Sequence, residues 1–226
     1  THARFVRAAE DAGKALATTF GFDAARGVTE ITVLAPDHPW LLSTLAGACA
    51  ASNANIVDAQ IFTTTDGRVL DTIAISREFD QDDDESRRAA RVTETIEKAL
   101  TGTLKLPEVV ARRTAARTRL KAFAIEPDVT INNQWSNRYT VIEVTGLDRP
   151  GLLYELTATL SKLSLNITSA HVATFGERVV DVFYVTDLLG AKIVSPTRQM
   201  AIKRALTQLF APADAKTSAD AKTALR

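Results

Sequence analysis

Asp148-Arg149-Pro150-Gly151-Leu152-Leu153, with Asn166-Ile167 further on, decides the fold, because 111 residues earlier the chain reads Asp37-His38-Pro39-Trp40-Leu41-Leu42 and then Asn55-Ile56. Laid over one another at that offset, residues 29–61 and 140–172 share 11 identities in 33 positions, which marks a duplicated unit. After a slip of one residue near Thr174 the register resumes at 110, pairing Arg68 with Arg178, Val69 with Val179 and Asp71 with Asp181. A single-residue gap at a turn is what a repeated unit tolerates best.

Both copies carry the same alternation of periods. Ile31, Val33 and Ala35 alternate along a strand, as do Ile142, Val144 and Gly146. Pro39 and Pro150 each suit the first turn of a following helix, where a missing N–H costs nothing. Leu41, Leu45 and Cys49, and likewise Leu152, Leu156 and Leu160, hold helical spacing. Asn-Ile then opens a second strand, which is expected to place Val57, Ala59 and Ile61 on one face. Turns at Asp66-Gly67 and Gly176-Glu177 lead into a third strand. The second helix carries Val92, Ile96, Ala99 and Leu100 in one copy and Ile202, Ala205, Leu206 and Leu209 in the other.

The order β-α-β-β-α lacks one strand of a closed split-βαβ unit. Leu120–Ile125 and Asp128–Asn132 lie between the copies and are expected to be shared, one closing each sheet or joining an edge between them. Residues 2–12 read as a helix, and Leu16–Phe22 as a strand able to pair with 29–35. The expected organisation is therefore 1–27, a helix and lead-in strand; 28–104, the first unit; 105–136, a linker helix and closing strands; 137–210, the second unit; and 211–226, a flexible tail poor in large apolar residues.

The 226 residues allow one large or two small domains, and 46% hydrophobic with 24% charged residues is ordinary for a chain that buries a core. Lys plus Arg and Asp plus Glu each number 27, so no net field recruits nucleic acid or an anionic membrane. Cys49, the sole cysteine, cannot form an internal disulfide, which fits a reducing, cytoplasmic setting. No apolar run approaches a membrane span. Because the chain opens on Thr1, a piece of a longer protein is expected. With only His2, His38 and His171, no multi-histidine metal site is expected. The acidic run Asp80, Asp82, Asp83, Asp84 and Glu85 reads as a helix start, not a cation site.

The Asp-x-Pro-Gly-Leu-Leu turn and the Asn-Ile strand start resemble the ACT domain family, regulatory modules that bind small metabolites, most often amino acids. Closer still, Ile56-Val57-Asp58-Ala59 with Ile61–Gly67, and Asn137–Val144 with Ser169-Ala170-His171 and Gly176–Val185, resemble the C-terminal tandem ACT region of the bifunctional uridylyltransferase/uridylyl-removing enzymes. The resemblance spans roughly residues 5–210. It implies an α+β fold: tandem ferredoxin-like βαββαβ units with antiparallel sheets covered by helices. It also implies a glutamine sensor that switches its parent between modifying and unmodifying the PII signalling protein in nitrogen regulation. The parent would be a nucleotidyltransferase and metal-dependent phosphohydrolase needing Mg²⁺ and UTP. No Gly-Ser or His-Asp dipeptide marks such centres here, so no catalysis and no cofactor are expected of this chain alone.

The resemblance implies a glutamine site at Asp148, Arg149, Gly151, Leu152 and Leu153 with Asn166 and Ile167 across from them, and a weaker one at Asp37, His38, Trp40, Leu41 and Asn55. A helix N-terminus suits an α-carboxylate, and Asp148 can accept from an α-ammonium group. Equally, Asp148 reads as a helix cap and Asn166 as a turn residue. Trp40 stands where the motif has glycine and is expected to fill the first cleft or to wall it. His38 reads as an exposed loop histidine. Lys105, Arg112, Arg113, Arg117, Arg119 and Lys121 read as an exposed helix facing upstream catalytic domains of the same polypeptide. Glu177, Arg178, Asp181 and Tyr184 read as cross-strand pairs on an exposed face. Two alternatives stand beside the sensor: a free-standing tandem amino-acid-binding protein, and a ligand-free module for ACT–ACT self-association.

Overall fold

The computed structural model describes residues 2–38, 40–62, 66–115 and 125–211. In chain order the elements are α1 (His2–Asp11), β1 (Ala17–Asp23), β2 (Val28–Pro36), α2 (Leu41–Ala51), β3 (Ile56–Gln60), β4 (Arg68–Ser76), α3 (Asp82–Leu100), α4 (Leu106–Ala115), β5 (Asp128–Asn132), β6 (Thr140–Leu147), α5 (Leu152–Lys162), β7 (Leu165–Phe175), β8 (Arg178–Asp187) and α6 (Pro196–Gln208). The strands form one antiparallel sheet in the order β1-β2-β4-β3-β7-β8-β6-β5. It is an α+β fold of two like halves, joined edge to edge between β3 and β7.

Ala59 pairs with Ala170 at that join, and these two residues are equivalents in the 111-residue repeat. A pseudo-twofold axis therefore passes near this pair and relates matched features of the two halves. Asn53 and Ser164 both leave their helices at φ 58°. Asp37 N–H donates to Gly67 O and Asp148 N–H to Glu177 O, closing matched turns. Register shifts fall between Ile56 and Asp58 and between Ile167 and Ser169. The first of these corrects the expected facing: Ile56, Ala59 and Ile61 are buried, while the shift leaves Val57 only half-buried.

The closing strands also differ from expectation. β1 pairs with β2 from Ala17↔Leu34 to Asp23↔Val28 and completes the first half, so that half draws its fourth strand from its own N-terminal side. β5 pairs with β6 and serves the second half alone. The strands are thus not shared: each copy is preceded by its closing strand, giving β-βαββα in chain order with the ferredoxin-like strand arrangement retained. Leu120–Phe123 and Ala124 of the other expected strand lie outside the described residues, as do Pro39, Arg117, Arg119, Lys121 and residues 212–226 of the expected tail.

Alternate strand residues meet the helices on one face. Leu45, Leu156 and Leu160, with Ile31, Ile142 and Phe183, are fully buried there in one continuous core. The start of α3 is tied to β2 through a buried polar group: Glu85 accepts from Thr29 Oγ1 at 2.7 Å and from Arg88 at 2.7 Å. Burial alone would raise the Glu85 carboxyl, but these donors and the Glu78 and Phe79 N–H groups hold it below its ordinary value. The acidic run occupies the first turn of α3, where Asp82 pairs with Arg77 and Asp84 with Arg87.

Across the axis α2 packs beside α5, and Gly47 sets how close they come. A Cβ at Gly47 would lie 2.9 Å from Tyr154 Cδ2 and 3.0 Å from Leu106 Cδ1. Gly47→Val, followed by urea unfolding, is expected to lose roughly 1–3 kcal/mol of stability by overpacking this seam.

Candidate functional site

Each strand-to-helix turn faces the opposite half of the molecule. The turn Asp148–Leu153 bounds a cleft of about 440 Å³ whose other wall is Asn53, Ala54, Asn55 and Ile56 of the first unit, with Val179 and Asp181 of β8 also lining it. That volume lies within the range of small-molecule sites, about 300–1,000 Å³. The pseudo-equivalent cavity is lined by Asp37, His38, Leu41, Leu42, Ile61 and Asp71 from the first unit with Asn166 and Ile167 from the second, and measures about 20 Å³. It is large enough for about one water molecule.

This partitions the expected site residues differently. Asp148, Arg149, Gly151, Leu152 and Leu153 share a cleft with Asn55; Asn166 and Ile167 instead join Asp37, His38 and Leu41. The reason is geometric. Within one unit the turn and the Asn-Ile start lie at opposite ends of an 11-residue helix, about 16 Å apart at 1.5 Å per residue. Only the antiparallel β3–β7 join brings the strand start of one unit level with the turn of the other.

Trp40 does not fill or wall either cleft. It is partly exposed and lines a separate groove with Leu104, Leu106, Pro107 and Tyr154 beside α4. Its backbone explains the change from glycine: Trp40 sits at φ −100°, whereas Gly151, at the same place before α5, sits at φ 82°. Only the second copy needs a residue that tolerates the left-handed region. Arg149 borders the cleft with its guanidinium already engaged, donating to both Glu155 oxygens at 2.8 and 2.7 Å and to Leu209 O at 3.1 Å. His38 is exposed; partial desolvation lowers its imidazole, with Asp37 opposing.

Two carboxylates escaped the sequence reading of sites. Asp181 and Asp71 are repeat equivalents, each 1% exposed, and neither oxygen of either has a hydrogen-bond partner of ordinary geometry among the described residues. Burial pushes the Asp181 carboxyl up to about 8, the nearby Asp148 charge adding to this and the Ala173 backbone opposing it. Burial likewise raises Asp71 to about 7. Asp148 is itself raised by burial, against the Arg149 backbone and Thr174, whose hydroxyl donates at 3.5 Å. Asp181 is thus no exposed cross-strand partner, as expected from sequence; it shares the helix-facing side of β8 with Val179 and Phe183. The signal was present in parity: Asp71 alternates with Val69 and Ile73, and Asp181 with Val179 and Phe183. Tyr184 lies on the other face, edge-on to His171 and Tyr139, where His171 Nδ1 is 3.7 Å from Asp58 across the join.

Comparison with known proteins agrees with this architecture: the ACT domain matches residues 29–99 and 140–195, and the chain belongs to that family. Beyond the family, the chain is 70% identical over 214 residues to the bifunctional uridylyltransferase/uridylyl-removing enzyme of Bradyrhizobium sp. (strain ORS 278), covering 95% of this chain and 23% of that protein. It is 69% identical over 216 residues, with the same coverage, to the protein of that name from Rhodopseudomonas palustris (strain ATCC BAA-98 / CGA009). The chain spans about a quarter of the length of the curated relatives it matches. A solved structure of an unknown protein from Galdieria sulphuraria superposes at a TM-score of 0.26 with 13% identity over 80% of this chain and 89% of that one, a score that bears on neither fold nor function. No helix among the described residues is long and apolar enough to cross a membrane.

A buried carboxyl whose folded value is raised stabilises the fold most below its unfolded value, near 4, and loses that contribution as pH climbs to the folded value. Asp181→Asn is therefore expected to gain stability relative to the wild type as pH rises from 5 to 8, by up to a few kcal/mol, in thermal or urea unfolding of the ligand-free chain.

Proposed function

We propose that this chain is the amino-acid-sensing regulatory region of a bifunctional uridylyltransferase/uridylyl-removing enzyme, and that L-glutamine is its ligand. The observation that supports this most is the composite cleft: one wall is the Asp148–Leu153 turn and the other Asn53–Ile56, so a ligand between them touches both units. The first turn of α5 offers free N–H groups and a positive dipole end to an α-carboxylate. Asn55, its own carbonyl held by Ser76 N–H at 2.9 Å, presents an amide able to donate and accept. Glu78, Asp148, Glu177 and Asp181 all line the cleft, and Arg149 is committed to Glu155. Such a lining favours the neutral side chain of glutamine over the second carboxylate of glutamate.

A ligand that binds one packing of the two units better than another shifts the balance between them. In this reading that shift is passed to catalytic domains elsewhere in the polypeptide, which use Mg²⁺ and UTP to modify the PII signalling protein and reverse the modification, in the bacterial cytoplasm. Calorimetric titration tests the sensor directly. Asn55→Ala is expected to weaken glutamine binding at the large cleft by roughly 1–3 kcal/mol, leaving a polar group of the buried ligand unpaired. Asn166→Ala, in the small cavity, is expected to leave that binding event near wild type. Equal affinity for glutamine and glutamate, or loss on Asn166→Ala alone, would overturn the assignment.

A further inference from the structure

Asp181 is a buried carboxylate with no hydrogen-bond partner of ordinary geometry among the described residues, at the inner wall of the cleft between the Asp148–Leu153 turn and Asn53–Ile56. A carboxylate so placed destabilises the empty protein unless it is protonated or awaits a cation. The charged groups lining the same cleft favour a proton on Asp181 while the cleft is empty and a cation when it is filled. Asp148 from the turn before α5, Glu177 from the β7–β8 turn and Glu78 from the other unit are all acidic. Arg149 is held by Glu155, and Tyr154 from α5 and Thr174 from β7 are neutral donors or acceptors. No cation of the described residues lining this cleft is free to neutralise it.

We propose that Asp181 is the residue that receives the α-ammonium group of the bound amino acid, and that it gives up a proton to solvent as the ligand enters. This rests on the amino-acid-sensing reading and adds to it the residue that meets the positive charge. The exchange balances: the Asp181 O–H releases H⁺, the resulting carboxylate accepts from the ligand –NH₃⁺, and no covalent bond to the ligand forms or breaks. Asp148, whose carboxylate already accepts from Thr174, then acts on the proton of Asp181 as a like charge. The same residue stands at the equivalent place in the small cavity as Asp71, with Asp37 and His38 beside it. That cavity must open before it can make the same exchange.

The raised carboxyl of the empty site makes the linkage measurable. At pH 7, titration of this chain with L-glutamine in buffers of different ionisation enthalpy is expected to show net proton release on binding at the large cleft, at most about one proton per ligand. The apparent affinity is expected to rise at least about fivefold from pH 6 to pH 8, as the fraction of ionised Asp181 grows. Asp181→Asn, close to the wild type in shape, is expected to bind at least about tenfold more weakly, with no proton release and a flat pH profile. Glutaramate, which is glutamine without its ammonium group, is expected to be rejected by the wild type and no longer discriminated by Asp181→Asn. Wild-type glutamine binding without proton release, or unchanged binding by Asp181→Asn, overturns this assignment while leaving the glutamine reading intact. Failure of the wild type to bind glutamine at any pH overturns both.

Discussion

The antiparallel meeting of β3 and β7 at Ala59 and Ala170 is the constraint on which the rest of the structure depends. A ferredoxin-like half has two edge strands, β1 and β3 in the first half and β7 and β5 in the second, and bare edges are costly unless paired or covered. Joining β3 to β7 at repeat-equivalent residues covers one edge of each half and leaves β1 and β5 as the outer edges of the sheet. It also imposes a twofold relation on everything attached, bringing α2 beside α5 and the turn of one unit against the strand start of the other. The clefts are therefore consequences of the join, and neither unit possesses a complete one. A ligand bound in such a seam can influence how two domains sit, which a ligand buried inside one unit cannot do as directly.

Pseudo-symmetry makes the differences between the two clefts informative. The same carboxylate stands in both, as Asp71 and Asp181, and the same Asn-Ile pair supplies the facing wall. The volumes nevertheless differ, at about 20 and 440 Å³. Two local features accompany this. The backbone before α5 passes through the left-handed region at Gly151 but not at Trp40, so the two turns present their N–H groups differently. Arg149 is drawn toward Glu155 and the end of α6, whereas the equivalent position is His38, which faces the small cavity. The large cleft thus has room for a small molecule, whereas the small one has room for about one water.

Much of this was legible in the sequence, because strands, helices and turns impose periods and a duplication prints them twice. Ile31, Val33 and Ala35, and Leu152, Leu156 and Leu160, fall where their spacing put them, and the strand expected at Leu16–Phe22 pairs, as Ala17–Asp23, with the strand after it, whereas Pro150 lies just before the N-cap Gly151 and not in the first turn of α5. What was not legible depends on relations between distant segments. Nothing in Asn166 itself says that the turn it faces belongs to the other copy; that follows only from the helix length and the direction of the join. The closing strands were misplaced for the same reason, since composition does not tell which edge a short apolar run will cover. Asp181 was misread because an acidic residue in a strand is ordinarily a solvent-facing one, and only its parity with Val179 and Phe183 opposed that habit.

The composite nature of the cleft is the central claim, and backbone amide chemical shifts during titration with L-glutamine test it most directly. The account predicts that Asn55 and Ile56 of the first unit shift along the same binding isotherm as Gly151 and Leu152 of the second. Asn166 and Ile167 should stay near their starting values through that event. Shifts at Gly151 and Leu152 shared with Asn166 and Ile167, and absent from Asn55 and Ile56, would contradict it, because each site would then lie within a single unit.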